Sequence, residues 1–83
     1  MSKLDKLLEQ ILGGSSDANT PFNELCQLLR YLGFIERIRG SHHIFTRSGV
    51  QERINLQRAG RNSKVYQVRQ VRAVIVKYRL GGE

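Results

Sequence analysis

At Gly33-Phe34 the spacing of apolar residues changes, and that change constrains the fold more than any other feature of the chain. Before it, apolar residues recur every three or four positions, the period of an amphipathic helix. After it come short runs rich in Ile and Phe, broken by Gly-Ser and Ser-Gly pairs, the pattern of strands joined by tight turns. Near the end the helical period returns. A chain with this order cannot be all-helical or all-strand, and its sheet needs a helical cover for its apolar face.

The first helix is expected over "SKLDKLLEQILGG". Leu4, Leu7, Leu8, Ile11 and Leu12 share one face, Ser2 caps the start, and Gly13-Gly14 stops it. "SSDAN" follows as a polar linker. "TPFNELCQLLRYLGF" is the second helix, with Thr20 as N-cap, Pro21 in the first turn and Gly33 at the C-terminal stop. Its apolar stripe is Phe22, Leu25, Cys26, Leu29 and Leu32. "FIERIR", "HHIFTR" and "RINLQR" are expected as three strands, with turns at "GS" and "SGVQE" and a polar loop at "AGRNSK". The closing segment "VYQVRQVRAVIVKYRL" places Val68, Val71, Ile75 and Tyr78 on one helical face, with Arg69, Arg72 and Arg79 in a basic stripe beside it. The expected fold is therefore α+β: helix, helix, three antiparallel strands, helix, in two layers with the outer sheet face open. Residues 1–19 form an N-terminal helix and linker, and residues 20–83 the main domain. The N-terminal stripe is expected to fold back on its own domain, the alternative being a homodimer through that helix.

Charge is unevenly divided. Residues 1–33 hold three bases and four acids, net −1; residues 34–83 hold eleven bases and three acids, net +8. Ten of the fourteen bases are Arg, whose planar fork grips phosphate with two hydrogen bonds. A basic half of this kind is the electrostatic footprint of a nucleic-acid binder. The single Cys26 excludes an internal disulfide and any multi-cysteine zinc site, and it fits a reducing compartment. It lies in the apolar stripe of the second helix, with no histidine close in sequence to serve as its base. Asp5, Lys6 and Glu9 interrupt the first apolar positions, so no signal peptide is expected, and no apolar run approaches a membrane span. The expected location is the cytoplasm.

The only two histidines, His42 and His43, are adjacent within "RIRGSHHIFTR". On a strand they point to opposite faces and cannot converge on one ion. No zinc or magnesium site and no cofactor are therefore expected. With Phe45 on the core side and His43 sharing it, His42 turns outward with Thr46; that facing also exposes Ile44, and a bulge near Gly40 would rotate the strand by one residue and reverse it. An exposed imidazole on a basic sheet suits one reaction in particular. RNA is cut when its own 2′-hydroxyl attacks the adjacent phosphorus, which requires a proton carrier near neutrality and cations around the phosphorane. Imidazole, with an unperturbed pKa of ~6.5, fills the first role, and arginine or lysine the second.

"GFIERIRGSHHIFTR", then "INLQ", then "KVYQVRQVRAVIVKY" resemble the HicA family, small toxins of type II toxin–antitoxin pairs. The resemblance covers roughly residues 22 to 80, and its most specific piece is Gly40-Ser41-His42 at the entry to a strand. It implies a fold like that of a double-stranded-RNA-binding domain: helix, three antiparallel strands, helix. It implies cleavage of mRNA with His42 as the catalytic residue, and a HicB-type antitoxin that covers the site. Arg39, Ser41, Arg47, Lys64, Arg69 and Arg72 are then the expected RNA contacts, and His43 is structural. Residues 1–19 are an addition to the family's minimal form, and Lys64-Val65-Tyr66 stands where many relatives have Lys-Pro-Tyr. Two other readings use the same basic face: an RNA-binding module without chemistry, and an inactive domain that only binds the antitoxin.

Overall fold

The computed structural model describes residues 2–81. Three helices and four strands follow one another as α1 (Lys3–Gly13), α2 (Phe22–Tyr31), β1 (Ile35–Arg39), β2 (His42–Arg47), β3 (Val50–Ala59), β4 (Asn62–Ser63) and α3 (Val65–Tyr78), with a short 3₁₀ turn at Asp17–Asn19. The strands form one antiparallel sheet in the order β1-β2-β3-β4. Helices cover one face of it, giving an α+β domain. Among the described residues no helix is long and apolar enough to cross a membrane.

Local chemistry accounts for most element ends. Ser2 caps α1 in a reciprocal box: its hydroxyl accepts from Asp5 N, and the Asp5 carboxylate accepts from Ser2 N. Gly14, at φ +70°, closes the same helix in the left-handed conformation that costs glycine little. Thr20 does not cap α2 as expected. Pro21 holds that position, and the buried Thr20 donates its hydroxyl to Ser16 O instead, at 2.9 Å. Gly40, at φ +58°, makes the reversal between β1 and β2.

Two further expectations need correction. The third strand begins at Val50 rather than Arg53, so the turn shrinks to Ser48-Gly49. The loop 59–64 contains β4, a fourth strand absent from the expected three. This strand is two residues long and polar, so no apolar pattern marks it. Backbone bonds hold it, with Ser63 N donating to Thr20 O and Phe22 N to Arg61 O.

The core joins all three helices to the sheet. Leu7 and Ile11 of α1, Phe22, Leu25, Leu28 and Leu29 of α2, Phe45, Ile54 and Leu56 of the sheet, and Val68, Val71, Val74 and Ile75 of α3 are buried together. Leu7 and Ile11, with the partly buried Leu4 and Leu8, therefore pack on their own chain, while Leu12 stays exposed. The linker is anchored too. Arg72 of α3 donates to Ile11 O at 2.6 Å and pairs with Asp17, which also sits 3.7 Å from Arg69.

Candidate active site

Cross-strand register decides which side chains share a face. Arg39 lies opposite His42, which lies opposite Gln57; Arg37 lies opposite Ile44, which lies opposite Asn55. Alternation puts all six on the outer face, together with Ile35, Thr46 and Arg53. Ile38, His43, Phe45, Ile54 and Leu56 take the other face. His42 is exposed and His43 half-buried, as the strand period requires.

His42 is held by a defined partner. Its Nδ1 lies 3.2 Å from Asn55 Oδ1. With the amide oxygen accepting, Nδ1 carries the proton and Nε2 keeps its lone pair for an incoming one. Gln57 ties the surroundings together: its amide nitrogen donates to Ser41 Oγ at 3.1 Å, and its amide oxygen accepts from Lys64 Nζ at 3.2 Å. Ser41, His42, Asn55, Gln57 and Lys64 therefore form one polar cluster at the end of the sheet marked by Gly40. Among the described residues, Arg37, Arg39 and Arg53 make no ion pair, so their guanidinium groups are free to meet an anion. A concavity of about 430 Å³ is lined by Ile35, Arg37, Arg39, Ile44, Thr46 and Arg53.

The other expected contacts lie elsewhere. Arg47 is at the opposite end of β2, roughly 17 Å of strand from His42. It lies against Gly33 in a separate cleft of about 750 Å³ that, among the described residues, is lined by no histidine, thiol or carboxylate. Arg69 and Arg72 belong to the helical layer, where Asp17 and the α1 C-terminus engage them. Of the residues named from the sequence, the structure brings together Arg39, Ser41, His42 and Lys64. It adds Asn55 and Gln57, which sequence reasoning missed. Their signal was available in "RINLQR", where Arg53, Asn55 and Gln57 alternate with Ile54 and Leu56.

Behind the sheet, His43 Nδ1 lies 2.7 Å from Glu36 Oε2, and Glu36 also pairs with Arg30. The Phe22 ring meets the His43 ring edge to face at 4.9 Å. Burial alone would raise the Glu36 carboxyl. The hydrogen bond from His43 and the Arg30 guanidinium outweigh it and hold the group below the ordinary glutamate range. Cys26, remote from both histidines in sequence, is beside His43 in space: its sulfur, a Glu36 oxygen and a His43 nitrogen lie within 4.8 Å of one another. Burial, reinforced by the Glu36 carboxylate, pushes this thiol up to about 11.

No family model, curated protein or solved structure matches the chain.

Proposed function

We propose that this protein is an endoribonuclease of the HicA type, the toxin of a toxin–antitoxin pair, cleaving mRNA by metal-independent transfer to the 2′-hydroxyl. The observation that carries the reading is an exposed His42, oriented by Asn55, on an open sheet face with three unpaired arginines. In this mechanism Arg37, Arg39 and Arg53 hold the RNA backbone. His42 Nε2 takes the proton of the 2′-hydroxyl as that oxygen attacks phosphorus. The bond from phosphorus to the 5′-oxygen breaks, and the 5′-oxygen takes a proton from water. The products are a 2′,3′-cyclic phosphate and a 5′-hydroxyl. Lys64 and nearby arginines stabilise the dianionic phosphorane, the kind of electrostatic support that dominates many enzymatic rate enhancements.

The order α2-β1-β2-β3-α3 supports the double-stranded-RNA-binding-domain likeness that the resemblance implies, with α1 and β4 as additions. The same face is the one a HicB-type antitoxin would cover, in the cytoplasm where mRNA is met. The test is RNA cleavage in excess EDTA with analysis of product ends. Cyclic phosphate termini are expected. Salt-sensitive RNA binding without product would leave the non-catalytic RNA module as the better reading. Tight protein binding with negligible RNA affinity would leave the antitoxin-binding domain.

A further inference from the structure

Three elements converge behind the sheet to bring a thiol, a carboxylate and an imidazole together: Cys26 from α2, Glu36 from β1 and His43 from β2. They face a pocket of about 290 Å³ whose remaining walls are Phe22, Asn23, Gln27, Arg30 and Ile38. We infer that Cys26, Glu36 and His43 form a zinc-binding site with a fourth, open position directed into this pocket. The inference stands apart from the RNA reading, because it uses the opposite face of the sheet and none of the residues that reading assigns.

The geometry is close to what the ion requires. Bond lengths of ~2.3 Å to sulfur and ~2.0–2.1 Å to nitrogen or oxygen set tetrahedral donors about 3.5 Å apart. The three donor atoms already lie within 4.8 Å of one another, a gap that side-chain rotation closes. The orienting contacts are also present. Arg30 holds one Glu36 oxygen and leaves the other toward His43, and the Phe22 ring fixes the imidazole plane. On binding, the ion takes the place of the proton shared by Glu36 Oε2 and His43 Nδ1, and the Cys26 sulfur coordinates as thiolate after its proton leaves to solvent. Asn23 and Gln27 line the pocket where a water would complete the tetrahedron. The donor set selects the metal. One thiolate, one imidazole and one carboxylate suit zinc, whereas calcium and magnesium need a nearly all-oxygen shell, and the Arg30 charge opposes an ion without a thiolate partner. Bound zinc would tie α2, β1 and β2 together and leave His42 on the other face untouched.

Cobalt(II), a spectroscopic stand-in for zinc, tests this on the full chain. The expected result is a sulfur-to-cobalt charge-transfer band with tetrahedral d–d bands, displaced by zinc, and a melting temperature that rises with zinc concentration. Cys26→Ser should abolish the charge-transfer band. Glu36→Gln, which keeps the side-chain shape, should weaken the ion by more than the ~10–100-fold typical of losing an outer partner. His42→Ala should bind cobalt like the parent. A parent chain that shows no charge-transfer band with excess cobalt overturns the inference. So does a band that survives Cys26→Ser or disappears in His42→Ala.

Discussion

Ile11→Ala is the sharpest probe of how the N-terminal helix is used. Ile11 is 2% exposed and belongs to the core cluster with α2 and α3 residues, whereas Leu12, the next residue, is 42% exposed. The substitution removes three buried carbons. At ~0.8 kcal/mol each, the lost transfer energy is ~2.4 kcal/mol. The cavity left between helices raises the total, within the ~2–5 kcal/mol usual for such truncations. A domain of 83 residues has roughly 4–12 kcal/mol of stability in all, so the loss is a large fraction of it. At ~4–8 °C per kcal/mol, a fall of ten degrees or more in melting temperature is expected. Leu12→Ala should cost about 1 kcal/mol or less, since much of that side chain is already in water. Urea unfolding of both variants, alongside light scattering of the parent, is the assay. Equal, small effects would refute the packing argument, as would a parent dimer that Ile11→Ala dissociates.

Replacing Arg37 and Arg39 together should flatten the salt dependence of RNA binding by ~0.7 in the log–log slope per lost contact, while Arg69→Ala should leave it nearly unchanged; the reverse pattern would place the RNA on the helical layer. Glu52 accepts from Lys77 Nζ at 2.8 Å and from Tyr78 Oη at 2.5 Å, and these bonds hold its carboxyl below the ordinary glutamate range. Because the folded-state pKa is depressed, this stabilisation is present above the unfolded-state pKa and is lost as pH falls through the folded one. Melting temperature should therefore drop on acidification through the carboxylate range, less steeply in Glu52→Gln, and identical pH profiles would contradict the assignment.

How much of this was legible in the sequence varied with the kind of signal. The helices and the facing of His42 followed from apolar period, because burial of one face imposes that period directly. Strand β4 did not, since Asn62 and Ser63 are placed by backbone bonds to Thr20 and the end of β3, which carry no side-chain pattern. Arg72 read as part of a basic stripe, yet tertiary packing put Asp17 and the α1 C-terminus against it. Cys26 read as a core residue with no base nearby, and burial bears out the first half. Its meeting with Glu36 and His43 depends on how α2 crosses the sheet, which single-chain periodicity does not encode.

The central claim rests on one imidazole, so cleavage of RNA by His42→Ala against the parent tests it most directly, with RNA affinity and melting temperature measured on the same samples. Truncating an exposed strand residue should change stability by no more than ~0.5 kcal/mol. Affinity should hold, because the arginines supply it. Cleavage in the presence of EDTA should fall by ~10²–10⁴, the usual cost of removing a proton-transfer group. A variant that cleaves at the parent's rate would contradict the account, and so would a parent that binds RNA and yields no cyclic phosphate.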